Sequence, residues 1–377
     1  MKVKIAHCSD LHLGNKPSSN SFKGNSEAGI SKAVFFNILK ECETQKVDFL
    51  LVAGDLFDDV KIQPFEVREI KDNLKKSGIK TVISPGNHDP LTVDSPYADN
   101  DWPKNVWIFK NKELSFFEDK ELKVRIFGAA FCEAYENKCL LSIPEIIEDD
   151  FLNLGVIHGD VLSSGKSLYN PIKISDIEKS RLNYLALGHI HKRSPIMKAG
   201  NTLYAYSGSP QGKGFNELGE KGIYIGNISK NECALEFKKT CIYTYEKIRI
   251  DVSLFHTHSD IISRILIGIK SKYGNNYHKN FYKILLEGNL DEDFIIDVNH
   301  LKNSLNKYLA FSEIIDETKI KTSIKDLAYK NDFKSIFIKK AIKKIEDSRN
   351  ENERKINQKA LKLGLKAFSE DVNYNEV

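Results

Sequence analysis

Short apolar runs alternate with helix-like segments along the first half of this 377-residue chain, and this alternation limits the folds open to it. The runs "VKIAHCSD" and "DFLLVAGD" have the apolar, partly β-branched character of strands, and each closes on an acidic residue. Between them, "KAVFFNILKECE" repeats apolar residues at helical spacing, and "PFEVREIKDNLKKSG" has a proline near its start and a glycine at its end. Strands and helices in this order predict an α/β fold with a largely parallel sheet.

Polar side chains follow the predicted strands at their carboxyl ends, in five short motifs. Ligands of open α/β sheets bind beyond these strand ends, so the side chains found there are the first candidates for a functional site. The motifs are "SDLHLG", "AGDLFDD", "GNHD", "VIHGD" and "LGHIHK", and they contain Asp10, His12, Asp55, Asn87, His88, Asp89, His158, His189 and His191.

Each motif taken alone is also typical of a turn or a helix cap, because Gly, Asn, Asp and Pro are the residues that turns use. In "GHIH", however, both imidazoles are expected on one face of a strand, since side chains alternate with a period of two. Five such motifs in order, all at strand ends, favour metal binding over turns. Carboxylate, amide and imidazole donors without thiolate suit manganese, iron or zinc. The seven good donors are Asp10, His12, Asp55, Asn87, His158, His189 and His191.

The composition favours a globular protein of the cytoplasm. Hydrophobic residues make up 41% of the chain, and the net charge of 56 − 52 = +4 is too small to indicate nucleic acid by itself. The six cysteines show no CxxC spacing, which favours reduced thiols over disulfides or a zinc ribbon. No apolar stretch approaches the roughly 18 residues of a membrane helix, and the N-terminus becomes polar too early for a signal peptide. No membrane association is therefore expected.

The sequence pattern changes near residue 242. Residues 242–322 alternate predicted strands with helices and indicate a small α+β unit without a candidate catalytic cluster. Residues 323–377 predict helices with an apolar stripe beside lysines. We therefore expect three parts, with residues 1–241 carrying the motifs. The tail helices either bind a partner or pack on the chain's own core, and the sequence leaves both options open.

The motifs "DLH", "GDLFD", "GNHD", "HGD" and "GHIH", in this order, resemble those of the calcineurin-like metallophosphoesterase superfamily. The longer forms "SDLHLG" and "AGDLFDD" are similar to its DNA-repair exonuclease branch, the SbcD-type nuclease subunits and their archaeal and eukaryotic counterparts. Residues 203–225, "LYAYSGSPQGKGFNELGEKGIYI", resemble the YhaO-like group. The resemblance implies an α/β fold in four layers, a β-sandwich flanked by helices, with a small α+β cap domain and C-terminal helices.

The resemblance also implies a centre of two divalent metal ions, expected to be Mn²⁺. One ion would be held by Asp10, His12, Asp55 and His191, and the other by Asp55, Asn87, His158 and His189. A shared carboxylate offsets the repulsion between ions roughly 3.5–4 Å apart, which together clamp both ends of a phosphoryl displacement. His88 is implied to lie over the phosphate and to protonate the leaving oxygen. Asp89 is expected to fix the tautomer of His88 and to raise its pKa.

By this resemblance the chain is a DNA nuclease subunit of DNA repair, a 3′→5′ exonuclease with endonuclease activity as an option. The implied partners are DNA, an SMC-like ABC ATPase on a separate chain, and a second copy of this chain meeting it through "PFEVREIKDNLKKSG". The α+β unit either caps the DNA or is a structural lid. Two other functions remain open, a phosphodiesterase or phosphatase with a non-DNA substrate and a DNA-bound scaffold for the ATPase. The five motifs do not exclude the first, whereas the complete donor set argues against the second.

Overall fold

The computed structural model describes residues 2–14, 27–142, 150–162, 165–291, 294–320 and 333–368. Internal contacts divide the chain into two compact units, Met1–Tyr245 and Glu246–Val377. Each unit has an apolar core of its own. All nine candidate site residues belong to the first unit.

Six strands form one sheet of the first unit. In spatial order they are β14 (Cys233–Lys239), β13 (Gly222–Ser229), β1 (Lys2–Cys8), β2 (Phe49–Ala53), β3 (Lys80–Ser84) and β4 (Val106–Ile108). Strands β1 to β4 run parallel, as the alternation of strands and helices predicts. Strand β13 returns antiparallel beside β1 and carries β14 on its other edge, so the sheet is mixed.

A second sheet of six strands lies in the same unit. In spatial order its strands are β11 (Met197–Ala199), β12 (Thr202–Tyr206), β10 (Tyr184–Gly188), β7 (Leu152–His158), β6 (Val124–Gly128) and β5 (Ser115–Asp119). The four central strands are parallel, and β11 and β5 are antiparallel edges. A short parallel pair, β8 (Asp160–Leu162) and β9 (Pro171–Lys173), follows β7 in the chain.

Central strands of both sheets, such as β2 and β10, are apolar and buried along their whole length, which indicates burial on both sides. In β1, Ile5 lies with Leu154 of β7 in the core between the sheets, whereas the neighbouring Ala6 packs in the cluster on the outer face. Helices cover the outer faces, namely α1 (Glu27–Thr44), α2 (Pro64–Ser77) and α3 (Ile174–Ser180). The first unit is therefore a sandwich of two sheets flanked by helices, and the predicted fold class is confirmed.

Helix α2 begins and ends where its sequence predicts. Pro64 occupies the first turn, where its missing N–H has no partner to lose, and Gly78 ends the helix with φ of 65°, a left-handed conformation that glycine adopts without a steric penalty. The first turn carries Glu66 and the last turn Lys75 and Lys76, which complement the helix dipole.

The second unit contains a three-stranded sheet covered by helices. Its sheet strands and helices are β15 (Tyr245–Asp251), α4 (His258–Tyr273), β16 (Phe281–Glu287), α5 (Val298–Leu305) and β18 (Phe311–Asp316). A short parallel pair, β17 (Asn289–Leu290) and β19 (Lys319–Ile320), forms a separate two-stranded sheet in this unit. Ile261 and Ile265 of α4 pack in one cluster with Ile284 of β16. Thr257 caps α4, because its hydroxyl accepts a hydrogen bond from the Asp260 N–H.

Two further helices follow, α6 (Phe333–Glu346) and α7 (Glu351–Phe368). They pack on each other through a small cluster centred on Ile338, Leu361 and Leu365. Several large apolar side chains of the same helices stay exposed to solvent, including Phe333, Ile336, Ile356 and Leu363.

All six cysteines are free thiols, three of them buried. Among the described residues, no helix combines the length and the apolar character that crossing a bilayer requires.

His7 in β1 is a buried histidine that should make stability depend on pH. Its Nδ1 lies 2.9 Å from the Tyr184 hydroxyl and its Nε2 lies 3.1 Å from the Leu187 carbonyl oxygen, so the neutral ring is satisfied. Burial lowers the pKa of His7 from 6.5 to about 4. As the pH falls, the unfolded chain therefore binds this proton before the folded chain does. We expect His7 to remove about 3 kcal/mol from the free energy of unfolding between pH 6.5 and 4.

Urea unfolding over this pH range measures the effect. The native chain is compared with His7→Gln, and with His300→Gln, which removes an exposed imidazole of the second unit. His7→Gln should lower the stability near neutral pH and flatten the pH dependence. Equal pH dependence in all three proteins would contradict a buried neutral His7.

Candidate metal centre

The loops that follow β1 and β2 lie side by side and carry three of the candidate ligands. The Asp10 N–H donates to the Gly54 carbonyl oxygen at 3.1 Å, and the His12 N–H donates to the Asp55 carbonyl oxygen at 2.9 Å. Because the two strands are parallel neighbours, their carboxyl ends meet at one edge of the sheet. The paired loops therefore hold Asp10, His12 and Asp55 next to one another.

The backbone is strained at four candidate ligands. Asp10, His12 and Asp55 have φ of 54°, 50° and 50°, and His189 has φ of 102°. The left-handed region costs a residue with a side chain roughly 1–2 kcal/mol. Such strain persists where the surrounding structure compensates for it, and it clusters at functional sites.

Two glycines allow the strand ends to approach each other closely. A Cβ atom on Gly86 would lie 2.2 Å from Asp55 Oδ1, and a Cβ atom on Gly188 would lie 1.7 Å from the Ala53 carbonyl oxygen. Both contacts are far below van der Waals distance. The glycines before Asn87 and His189 are thus required for the two sheets to bring their ligands together.

Four candidate ligands converge in one half of the centre. His12 Nε2 lies 3.2 Å from His191 Nε2 and 3.8 Å from Asp55 Oδ2. His191 Nε2 lies 3.9 Å from Asp10 Oδ1. Ligands each about 2.1 Å from one ion lie roughly 3–4 Å apart, so these distances suit a shared metal. This half matches the set expected for the first ion.

The other half of the centre contains the remaining ligands. His158 Nε2 lies 2.8 Å from Asn87 Oδ1 and 3.4 Å from Asp55 Oδ2, and His189 Nδ1 lies 3.2 Å from the same Asn87 oxygen. Asp55 Oδ2 is therefore close to a histidine of each half. The structure brings all seven predicted ligands together, and Asp55 stands where the sequence predicts a bridging carboxylate.

Carboxylates behind the ligands lie against two imidazoles of the first half. His191 Nδ1 lies 2.8 Å from Glu217 Oε1, and His12 Nδ1 lies 2.9 Å from Asp58 Oδ1. A carboxylate only accepts, so His191 carries a hydrogen on Nδ1 and donates it to Glu217, whereas His12 Nδ1 lies close to Asp58 without a well-aligned hydrogen bond. Burial alone would lower the pKa of His191, but the Glu217 and Asp10 carboxylates outweigh it and raise the pKa. The His12 and His191 Nε2 atoms face each other at 3.2 Å, and a divalent cation between them would take the place of a proton. This half of the centre fits a divalent metal ion.

The second half of the centre turns a nitrogen lone pair toward another candidate ligand. His158 Nδ1 lies 3.0 Å from the Ala53 carbonyl oxygen, which accepts its hydrogen, so His158 Nε2 turns a lone pair toward Asn87 Oδ1. His158 and Asp55 are almost completely excluded from solvent. A buried set of acceptors without a cation is costly, and the second half also fits a metal ion.

The electrostatics of the centre point the same way. Burial, together with the charges of Asp89 and Asp10, raises the pKa of Asp55 well above its ordinary value. Burial lowers the pKa of His12 and His158, and burial and the nearby His158 lower the pKa of His189 to about 4. The protein alone thus disfavours the ionised form of Asp55, whereas for Asp10 the neighbouring histidines outweigh burial and lower the pKa. A divalent cation would favour the ionised form of both carboxylates.

Asp89 does not play the part that the sequence suggests. Its Oδ1 accepts from the Gly86 N–H at 2.7 Å, and its Oδ2 accepts from the Phe57 N–H at 3.0 Å and from the Tyr97 hydroxyl at 2.5 Å. The His88 Nδ1 faces the Asp58 carbonyl oxygen instead, at 3.3 Å. The predicted contact between Asp89 and the His88 ring is therefore wrong. Asp89 is buried and ties the "GNHD" turn to the β2 loop.

His88 lies at the open side of the centre. Its side chain is exposed, and its ring meets the His12 ring edge-on at a centroid distance of 4.7 Å. Its backbone N–H donates to Asp55 Oδ1 at 3.0 Å, which fixes the turn on the Asp55 carboxylate. An imidazole in this position can meet a phosphate held at the centre.

The explanation offered for "GHIH" also needs correction. Strand β10 ends at Gly188, so His189 and His191 are not alternating residues of a strand. A backbone with φ of 102° at His189 sends the two rings to different halves of the centre, His189 toward Asn87 and His191 toward His12. A loop and not a strand positions both residues.

Sequence reasoning missed two carboxylates that support the ligands, Asp58 and Glu217. Asp58 is the second aspartate of "AGDLFDD" and Glu217 lies in "FNELGEKG", both inside stretches that carried the resemblance. The sequence positions of Asp58 and Glu217 do not predict which histidine each one contacts. Glu217, for example, reaches His191 from the loop after β12. The one signal in the sequence was that each acidic residue lies within a stretch that resembles the family.

Glu217→Gln should weaken metal binding, because it removes the charge that holds the His191 proton on Nδ1. Burial raises the pKa of Glu217, but its contacts with His191 and Lys221 outweigh this and lower it, so the native group is ionised. We expect a loss of about 10- to 100-fold in manganese affinity. Calorimetric titration measures it, with Glu220→Gln on the exposed part of the same segment as the matched control. Unchanged affinity in Glu217→Gln would argue against its supporting role.

A sandwich of two sheets with seven converging oxygen and nitrogen donors at the strand ends defines a metal-dependent phosphoesterase. The family model described as calcineurin-like phosphoesterase matches residues 3–193, and the chain belongs to this family.

Three relatives match this chain over 62% to 76% of its length. The chain is 30% identical to "Uncharacterized metallophosphoesterase YhaO" of Bacillus subtilis, over 70% of this chain and 68% of that protein. It is 25% identical to "DNA double-strand break repair protein Mre11" of Sulfurisphaera tokodaii, over 76% and 74%. It is 22% identical to a subunit of the nuclease SbcCD of Escherichia coli K12, over 62% and 66%. These relatives are consistent with the DNA-repair branch of the superfamily.

Proposed function

We propose that this chain is a two-metal DNA nuclease subunit that hydrolyses phosphodiester bonds in DNA repair, acting as a 3′→5′ exonuclease. The observation that carries the proposal is the complete donor set around Asp55, in which one carboxylate oxygen is close to a histidine of each half. Relatives named as a double-strand break repair protein and as a nuclease subunit support DNA as the substrate. Endonuclease activity of the same centre is a natural extension.

The residues divide the chemistry between them. Asp10, His12, Asp55 and His191 would hold one ion and Asp55, Asn87, His158 and His189 the other. Two such ions supply positive charge to the phosphate and activate water. His88, exposed beside His12, protonates the leaving oxygen. Oxygen and imidazole donors without thiolate favour Mn²⁺ as the working ion.

The other parts of the chain are assigned to partners. Residues 242–322 act as a cap over DNA, and the helical tail at 323–377 binds a separate SMC-like ABC ATPase. The exposed Phe333, Ile356 and Leu363 on α6 and α7 support the second assignment, because large apolar side chains on a helix pair suit a partner helix. Helix α2 is the proposed surface for a homodimer. The free thiols support a cytoplasmic location.

The first experiment incubates the full chain with Mn²⁺ and end-labelled duplex DNA, beside bis(p-nitrophenyl) phosphate. Release of nucleotides from the 3′ end, absent after chelation of the metal, is the expected result. Cleavage of the small diester with DNA left intact, also after addition of the ATPase, would favour a phosphodiesterase with a different substrate. DNA binding without hydrolysis of either substrate would favour a scaffold.

A further inference from the structure

The loop after β12 supports the centre at several points. Ser207 Oγ lies 2.9 Å from Ser9 Oγ, next to Asp10, and Glu217 holds His191. Between these two contacts the loop carries Lys213, flanked by Gly212 and Gly214. The segment therefore places a cationic side chain beside the ligands of the first half.

Lys213 is held only loosely. Its Nζ lies 3.6 Å from Asp58 Oδ1, beyond the roughly 2.7–2.9 Å of a charge-assisted hydrogen bond. That oxygen lies nearer to His12 Nδ1, at 2.9 Å, so Lys213 is the more distant of its two nitrogen neighbours. The Asp58 contact is the one ion pair that Lys213 forms with the described residues.

The position of Lys213 suits an incoming anion. Its side chain is 27% exposed, so the ammonium is accessible from solvent while its stem packs against the protein. Lys213 Nζ and His12 Nδ1 both lie close to Asp58 Oδ1, at 3.6 Å and 2.9 Å, so the cation is near a ligand of the first half. His88, the proposed acid, contacts the Asp58 backbone on the same side.

We propose that Lys213 is a substrate-binding residue whose ammonium exchanges the Asp58 carboxylate for a non-bridging oxygen of the substrate's phosphodiester. The proposal rests on the function proposed above and adds one protein-supplied cation to the centre. A compact ammonium on a flexible stem can follow the phosphate, and the phosphate oxygens offer it acceptors.

The test compares the manganese-loaded full chain with Lys213→Met, which keeps the aliphatic stem, and Lys213→Arg, which keeps the charge. With bis(p-nitrophenyl) phosphate, Lys213→Met should raise KM about 10-fold or more while kcat changes little. The dissociation constant for inorganic phosphate, measured by calorimetry, should rise by a similar factor. Lys213→Arg should recover most of both effects. Lys239→Met, which removes an exposed lysine paired with Glu220, is the control and should match the native chain.

Two results would overturn the assignment. Unchanged KM and phosphate affinity in Lys213→Met would mean that the ammonium does not meet the substrate. Loss of bound manganese together with the rise in KM would mean that Lys213 only supports Asp58 and His12. If the native chain hydrolyses no phosphate ester, the proposed function fails, and the phosphate titration alone then decides whether Lys213 binds an anion.

Discussion

Asp55→Asn is expected to abolish hydrolysis, with kcat reduced by about 10³-fold or more. One oxygen of this carboxylate lies 3.4 Å from His158 Nε2 and 3.8 Å from His12 Nε2, so both halves of the centre depend on it. Metal ions contribute several kcal/mol to a transition state, and each 1.36 kcal/mol is a factor of ten. Asparagine keeps the shape and can still accept from the His88 N–H, but it lacks the charge that offsets two cations.

Metal content and activity are measured on the same samples. Asp55→Asn should retain fewer than two manganese ions per chain after dialysis and should release no nucleotides from DNA. Asp59→Asn is the matched control, because Asp59 is an exposed carboxylate of the same loop. Two bound ions with full turnover in Asp55→Asn would show that this residue is not the bridge.

His88→Ala should separate metal binding from turnover. The backbone N–H of residue 88, which donates to Asp55 Oδ1, remains in the variant, so both ions should stay bound. Loss of a positioned acid costs roughly 10²- to 10⁴-fold in rate. The loss should be large for DNA, whose alkoxide leaving group needs a proton, and much smaller for bis(p-nitrophenyl) phosphate, whose leaving group departs readily without one.

The dependence on the leaving group is the decisive measurement for His88. Equal losses with both substrates would point to electrostatic stabilisation rather than proton donation. Loss of manganese would make His88 a ligand, an outcome with some geometric basis, because His12, Asp55 and His88 offer donor atoms within 4.8 Å of one another. The exposed His300→Gln is the control for a general effect of removing an imidazole.

Sequence periodicity predicts the layers of the first unit well, because the pattern of apolar residues along each strand indicates which of its faces are buried. Ile5 and Ala6 are both apolar and face different cores, which is what a strand covered on both sides requires. The location of the candidate ligands can also be predicted, because the carboxyl ends of parallel strands lie at one edge of a sheet. The antiparallel pairing of β13 with β1 cannot be predicted from this pattern. It pairs Lys2 with Ser229, and these residues are far apart in the sequence.

The wrong and the missed predictions at the site have one physical cause, which is that tertiary contacts decide the partner of each side chain. Asp89 is adjacent to His88 in sequence, but the turn sends its carboxylate toward Tyr97 and the Phe57 N–H. Asp58 and Glu217, which were not predicted, approach their histidines from other loops. Residue type and strand position identify which side chains reach the centre, whereas the partner of each side chain is set by tertiary contacts.

The position of β1 inside its sheet bears on when the protein becomes active during synthesis. His12 and His191 are 179 residues apart, and β1 gains its antiparallel neighbour only when Gly222–Ser229 has left the ribosome. A nascent or prematurely terminated chain that stops before residue 191 carries an incomplete ligand set. A phosphoesterase of this design cannot assemble its candidate ligand set until its catalytic unit is almost fully translated.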